Sequence, residues 1–292
     1  FNFLEDTQPK KMERLREIYK DQYRFKVLSR LNRELNNRGM INVLRHGIKD
    51  YGVYLDLAYF QPASKLNEKT VKLTRQVRYS TKNENSIDML ICINGLPVVV
   101  LELKNPFTGQ TYEDAIIQYK KDRSPDELLF QFKERAIVFF AVDTSEVYMA
   151  TRPSGDKTFF LPFNKGCDGG CGNPDNPNGL KTAYLWEEIL QKDSLMDILK
   201  KFVFIETEEK KDIDGNAVTL EKVIFPRYHQ LDAVRKLEAD AKQKGVGTNY
   251  LVQHSAGSGK TNSISWLTHR LANLHDEEDN PVYDSVIVIT DR

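Results

Sequence analysis

Apolar residues in the first forty or so positions recur every three or four residues, with charged residues between them. That period is typical of an amphipathic helix and predicts a helical N-terminus. Farther along, short apolar runs rich in β-branched residues predict strands. Strands are predicted over 51–60, 76–80, 136–142 and 146–152, with two more within 86–106, and helices over 112–122 and 181–204. These elements predict a sheet flanked by helices.

The pattern changes after about residue 205. The charged stretch 206–222 predicts a linker or an exposed hairpin, with Asp214-Gly215 as its turn. The elements predicted beyond it are a helix (227–244), a strand (250–253), a Gly-rich loop, a helix (261–274) and a strand (285–290). Such alternation favours βαβ units and a parallel sheet. We therefore predict an α/β chain with domains at 1–205 and 223–292.

Composition agrees with a soluble globular protein of about two domains, with 292 residues, 40% hydrophobic and 29% charged. Lys plus Arg and Asp plus Glu number 42 each, so the formal net charge is zero. This balance neither indicates nor excludes a nucleic-acid partner. Three cysteines suit a reducing cytosol. No signal peptide and no apolar run of about 20 residues is present, so we predict a cytoplasmic protein without membrane association. Because the chain starts at Phe1 and stops just after an apolar strand, we expect it to be part of a larger protein.

Three charged residues lie in the otherwise apolar hairpin SIDMLICINGLPVVVLELKNP: Asp88, Glu102 and Lys104. Burying ionised groups costs several kcal/mol unless they are paired or bind a metal. Asp88 and the Glu102-Leu103-Lys104 triplet resemble the Asp…Glu-x-Lys signature of the restriction-endonuclease-like nuclease fold. Two carboxylates converging on Mg²⁺, with a lysine beside them, would suit phosphodiester hydrolysis. A structural ion pair at a strand end is the alternative.

Strand geometry limits how these residues meet. Glu102 and Lys104 share a face because side chains alternate with period 2. A two-residue turn at Asn94-Gly95 would place Asp88 opposite residue 101, facing away from Glu102. We therefore predict a three-residue loop, or a bulge, in this hairpin.

A second motif, HSAGSGKTNS at 254–263, lies between a predicted strand and a predicted helix, as a phosphate-binding loop requires. Gly257, Ser258 and Gly259 would bring backbone N–H groups to phosphate oxygens. Lys260 would contact the β- and γ-phosphates of ATP, and the Thr261 hydroxyl would ligate Mg²⁺. His254 replaces the first glycine of the strict pattern, a departure that helicase-like motors commonly show.

The two motifs in this order resemble the R (motor and cleavage) subunit of type I restriction enzymes, as do FNKGCDGGCGNPDNPNGLKTAYLWEEIL and FPRYHQLDAVRKL. The resemblance implies a nuclease domain followed by the start of a RecA-like (superfamily 2) motor domain. It implies duplex DNA, ATP, Mg²⁺, and methyltransferase (M) and specificity (S) subunits as partners. It also implies that Gln230 reads the adenine and that Tyr119 belongs to the nuclease site. The family's glutamine position, four residues before that tyrosine, holds Ala115, with Gln118 adjacent to the tyrosine instead.

Two other interpretations remain open. One is a different nuclease–helicase fusion, such as a type III restriction enzyme or a DNA-repair enzyme, although a nuclease that precedes the motor favours type I. The other is a nucleotide-dependent DNA-binding module in which the acidic hairpin is structural.

Overall fold

The computed structural model describes residues 1–60, 70–211 and 215–290, and the chain folds into two compact units, Phe1–Phe225 and Pro226–Arg292. Four helices open the first unit: α1 (Asn2–Thr7), α2 (Pro9–Tyr19), α3 (Tyr23–Arg38) and α4 (Met40–His46). The helical N-terminus predicted from the apolar period is therefore confirmed. The strand predicted over 51–60 is correct only in part, because β1 (Ile48–Asp50) and β2 (Val53–Leu55) form a short hairpin and residues 56–60 are irregular.

A six-stranded mixed sheet forms the centre of this unit. Its strands are β3 (Val71–Arg78), β4 (Ser86–Ile93), β5 (Leu96–Leu103), β6 (Val138–Val142), β7 (Val147–Ala150) and β8 (Leu161–Pro162), paired in sequence order. All neighbours are antiparallel except β5 and β6. The sequence located β4 to β7 but missed β8, which has only two residues. It placed the start of β3 five residues too late, because Val71–Arg75 is a largely exposed edge segment.

The parallel pair requires a crossover connection, and α5 (Tyr112–Lys121) lies within it. Thr111 and Asp114 form a capping box at the start of this helix. The Thr111 hydroxyl accepts a hydrogen bond from the Glu113 N–H, and the Asp114 carboxylate accepts one from the Thr111 N–H. Ala115 and Tyr119 on its inner face are buried in one apolar cluster with residues of β4, β5 and β6. The packing of α5 against the sheet fixes the side chains at its C-terminal end near the ends of β4 and β5.

Residues 181–204 depart further from their prediction, which was a single helix. That stretch contains two single-turn π-helical segments, Leu185–Ile189 and Ile198–Phe202, around α6 (Lys192–Asp197). β9 (Phe204–Lys211) and β10 (Ala217–Ile224) then pair antiparallel. Of the two forms predicted for 206–222, this is the exposed hairpin; Asp214 in its expected turn lies outside the described residues.

The second unit contains two helices, α7 (Tyr228–Lys244) and α8 (Lys260–Leu271), and its described residues, 226–290, contain no strand. The strands predicted at Tyr250–Gln253 and Ser285–Thr290 are therefore wrong for this structure. Leu251 is 93% exposed and Ile289 is 89% exposed. A strand needs a neighbouring strand to form the hydrogen bonds of its backbone N–H and C=O groups. Neither stretch pairs with another within the described part of this unit.

Among the residues with described positions, no helix combines the length and the apolar character that crossing a membrane demands.

Candidate functional site

The β4–β5 hairpin turns through Asn94 and Gly95, which have φ angles of 51° and 86°. Ile93 pairs with Leu96, so the loop has two residues, and two positive φ values are the signature of the tight hairpin turn that Asn-Gly favours. The expectation of a three-residue loop is wrong. Its alternative, a bulge, is confirmed, because Ile91 pairs with Val99 while Cys92 pairs with Pro97, which leaves Val98 as the extra residue.

This bulge decides which side chains meet. Beyond it Met89 pairs with Leu101, and continuation of the same register sets Asp88 opposite Glu102. Residues opposite each other in an antiparallel pair point to the same face. The extra residue at Val98 therefore brings the two carboxylates to one face, which the tight turn alone would have prevented.

Asp88 is held by two donors. The backbone N–H of Leu103 donates to its Oδ2 at 2.7 Å, and the Gln76 side chain donates to its Oδ1 at 3.0 Å. Gln76 lies in β3 with a φ of 50°, a left-handed conformation that costs a non-glycine residue of the order of 1–2 kcal/mol. This local strain next to a candidate site residue has no counterpart in the sequence pattern.

Glu102 is 1% exposed and is paired with Arg123, which is 3% exposed. The Arg123 Nε donates to Glu102 Oε1 at 2.8 Å. Burial raises the pKa of the Glu102 carboxyl to about 7, and the Arg123 charge and hydrogen bond oppose that rise. The buried carboxylate that the sequence singled out is thus compensated by a partner twenty-one residues away.

Sequence reasoning missed Arg123. It follows Lys120-Lys121-Asp122 at the end of α5, in a charged run that is typical of a solvated helix end. The signal that could have found it is the crossover helix itself, since its C-terminal end has to return over the sheet that carries Glu102.

Lys104 and Gln118 meet next to this pair. The Lys104 Nζ donates to Gln118 Oε1 at 2.7 Å, and the Lys104 backbone N–H donates to the Val142 carbonyl. Tyr119, by contrast, is 1% exposed, and its hydroxyl donates to the Phe140 carbonyl at 3.1 Å. In this arrangement Tyr119 is a core residue whose hydroxyl is engaged, whereas its neighbour Gln118 contacts a predicted site residue.

The donor set at the hairpin is compatible with a magnesium ion. No group of three or more His, Cys, Asp or Glu side chains suitable for a metal occurs among the described residues. Magnesium, however, is commonly held by one or two carboxylates, with water and substrate phosphate completing the shell. Asp88 and Glu102 supply two such groups, and Glu102 Oε2 receives no hydrogen bond from a described residue.

The Gly-rich loop lies in the second unit, directly before α8. Gly257 and Gly259 have φ angles of 72° and 80°, so the loop uses backbone conformations that glycine adopts without strain. Lys260 is the first residue of α8, and its Nζ donates to the His254 and Ser255 carbonyls at 3.2 and 2.9 Å. Thr261 follows in the first turn and is exposed. The lysine thus closes the loop on itself, at a helix N-terminus of the kind that binds phosphate.

Gln230 is packed against this loop. It is 3% exposed, its Oε1 accepts a hydrogen bond from the Arg227 N–H, and its Nε2 donates to the Ser258 and Gly259 carbonyls at 3.1 and 3.0 Å. A Cβ placed on Gly259 would lie 2.4 Å from that Nε2. The amide that the resemblance assigns to adenine is therefore occupied in joining α7 to the loop.

The loop also contains a polar atom that the described residues leave unsatisfied. Ser258 is 6% exposed, and its Oγ is buried without a hydrogen-bond partner. Such orphaned groups are rare because they cost about 1–3 kcal/mol. A hydroxyl free to donate, glycines and an adjacent lysine together are compatible with a phosphate group.

Comparison with protein-family models adds an independent observation. The model for the N terminus of the type I restriction enzyme R protein matches residues 4–158. The matched segment contains the whole β4–β5 hairpin with Asp88 and Glu102, α5, and also Lys104 and Arg123, which follow β5 and α5 in the chain.

Similar proteins occur among curated sequences. One from Methanocaldococcus jannaschii, provisionally named as the MjaVIIIP endonuclease subunit of a type I restriction enzyme, is 26% identical over 94% of this chain and 26% of its own length. The type I restriction enzyme HindI endonuclease subunit of Haemophilus influenzae is 26% identical over 70% of this chain and 18% of its own length. The chain thus spans about a quarter or less of these relatives. No solved structure matches it significantly.

Proposed function

Because this chain belongs to the family of the type I restriction enzyme R protein N terminus, we propose that its first unit is a restriction-endonuclease-like domain that hydrolyses phosphodiester bonds of duplex DNA. The observation that carries this proposal is the bulged hairpin, which brings Asp88 and Glu102 to one face of the sheet. A purely structural acidic pair has no need of two carboxylates facing each other, since like charges repel.

In the proposed reaction Asp88 and Glu102 hold Mg²⁺. The bound ion supplies charge neutralisation at the scissile phosphate and lowers the pKa of the attacking water. Lys104 lies two residues beyond Glu102, directly after β5. Its ammonium stabilises negative charge that develops on the phosphate oxygens. Gln118 accepts from that ammonium and limits its freedom. Leu103 and Gln76 keep the Asp88 carboxylate oriented toward Glu102.

The proposed setting is a larger protein, of which this chain is the N-terminal part. The second unit then begins a RecA-like motor that binds ATP through Gly257, Gly259, Lys260 and Thr261, with Mg²⁺ on the Thr261 hydroxyl. Translocation of duplex DNA, assembly with M and S subunits, and a cytoplasmic location belong to the same proposal. It is supported by the family match and by the names of the relatives, which are endonuclease subunits of type I restriction enzymes.

The cleavage proposal is tested by replacing one carboxylate with its isosteric amide. We expect Asp88→Asn in the full-length subunit, assembled with its partners, to slow cleavage of circular duplex DNA at least about 100-fold, because a metal ligand is lost. ATP hydrolysis should remain. Asp122→Asn, at the exposed C-terminal end of α5, is the matched control and should cleave normally. Normal cleavage by Asp88→Asn would refute the nuclease assignment.

The role of Gln230 is tested by nucleotide selectivity. If its amide mainly holds the loop, as its three hydrogen bonds indicate, Gln230→Ala should weaken binding of ATP and GTP to the full-length protein by the same factor. Readout of adenine predicts instead that only ATP binding weakens. Equilibrium titration with both nucleotides separates the two roles, and Gln243→Ala on the exposed part of α7 serves as the control.

A further inference from the structure

We propose that Arg123 is a positioning residue of the proposed metal site: it acts through Glu102 and fixes how that carboxylate faces Asp88. This inference rests on the proposed nuclease function and assigns a role to a residue that the Asp…Glu-x-Lys pattern does not contain. Arg123 touches neither metal nor DNA in this role.

The Arg123 guanidinium uses three nitrogens for three different partners. Nε donates to Glu102 Oε1 on β5 at 2.8 Å, and Nη2 donates to the Ser86 carbonyl on β4 at 2.8 Å. Nη1 donates to the Tyr79 hydroxyl just beyond β3 at 3.5 Å, and the guanidinium carbon lies 5.5 Å from the centre of that ring. One side chain from the end of α5 therefore links the three adjacent strands that carry or flank the carboxylates.

These contacts connect Glu102 to the strand that carries Asp88. Ser86 is the first residue of β4 and lies two residues before Asp88 on the same strand. A rigid planar guanidinium that bonds both the Ser86 carbonyl and Glu102 fixes the side chain of Glu102 relative to the start of β4. Asp88 is oriented separately by Leu103 and Gln76, so each carboxylate has its own support.

The pairing mode also preserves ligand capacity. Arginine often binds a carboxylate with two parallel hydrogen bonds that occupy both oxygens. Here only Nε contacts Glu102, and only through Oε1, while the two Nη groups donate elsewhere. Within the described part of the chain, Oε2 of Glu102 therefore remains available for a cation.

Stability alone does not explain such a pair. The side chains of Arg123 and Glu102 are 3% and 1% exposed, and buried ion pairs can often be replaced by apolar residues at no loss of stability. A role in metal binding does explain it. Arg123, with its three partners, holds the Glu102 carboxylate in a fixed buried position, and the partners that orient a metal ligand control metal affinity.

The test is Arg123→Lys in the full-length subunit assembled with its partners. Lysine keeps the charge but cannot reach three partners at once. We expect the Mg²⁺ concentration for half-maximal DNA cleavage to rise about 10–100-fold, with the cleavage rate at saturating Mg²⁺ and the ATPase rate changed far less. Mn²⁺ binding without nucleotide, followed by electron paramagnetic resonance, should weaken by the same factor at the site that Asp88→Asn removes.

Arg135→Lys is the matched control. Arg135 is buried in the same unit but donates to the Glu134 carbonyl and to Asn32. It should keep the wild-type Mg²⁺ requirement. If Arg123→Lys also keeps the wild-type Mg²⁺ requirement and Mn²⁺ affinity, Arg123 is only structural and the inference fails.

Two further outcomes are decided by other variants. If Arg123→Lys does not fold, Tyr79→Phe removes one guanidinium contact while keeping the ring; a severalfold rise in the Mg²⁺ requirement supports the role, and no rise overturns it. If Asp88→Asn retains both cleavage and Mn²⁺ binding, the proposed function itself fails, which is a different result from an insensitive Arg123→Lys.

Discussion

Replacement of Arg123 by methionine is expected to destabilise the first unit by about 3–5 kcal/mol, because it leaves the Glu102 carboxylate buried without its partner. The Ser86 carbonyl would lose its donor as well. Urea unfolding followed by circular dichroism should show a lower midpoint with little change in slope. Arg78→Met is the control. The side chains of Arg78 and its partner Glu84 are 72% and 79% exposed, so this change should lower the free energy of unfolding by less than about 1 kcal/mol.

The cause of that loss is tested by a second substitution. Glu102→Gln removes the uncompensated charge, so the double variant Arg123→Met/Glu102→Gln should regain a substantial part of the stability lost in Arg123→Met. The coupling energy from a double-mutant cycle should be of the order of 1–3 kcal/mol. Additive effects of the two substitutions would show that the ion pair is not what Arg123 contributes to stability.

The second large effect concerns the Gly-rich loop. Lys260→Ala in the full-length protein is expected to reduce ATP hydrolysis at least about 100-fold, because the ammonium that would contact the β- and γ-phosphates is removed. Its present partners, the His254 and Ser255 carbonyls, belong to a loop at the surface and can bond to water instead. The fold should therefore tolerate the change, and steady-state phosphate release measures the effect.

Lys244→Ala is the control for that experiment. Lys244 ends α7 in the same unit and pairs with Asp240 on the surface. Its ATPase rate should equal that of the wild type. Undiminished hydrolysis by Lys260→Ala would mean that nucleotide is bound elsewhere. Together with Asp88→Asn, which should hydrolyse ATP without cutting DNA, this variant separates the two proposed activities.

Local sequence patterns were sufficient for much of the first unit. The three- and four-residue period of the N-terminal helices, and the apolar runs of β4 to β7, each record how one element buries one face. The same information failed where an element depends on a distant partner. The stretches at 250–253 and 285–290 have strand composition, but the ladder that a strand needs is absent from the described part of their unit.

The candidate site shows the same division. The sequence by itself determined which charged residues enter the apolar hairpin, and the period of 2 required an irregularity if Asp88 was to face Glu102. Only the tertiary structure decided that this irregularity is a bulge at Val98 behind a two-residue turn, since both solutions satisfy the alternation. It also decided that Arg123 compensates Glu102 and that Gln230 is bonded to the Gly-rich loop. These contacts join residues more than twenty positions apart, and such pairings arise from packing of whole elements, which no local pattern encodes.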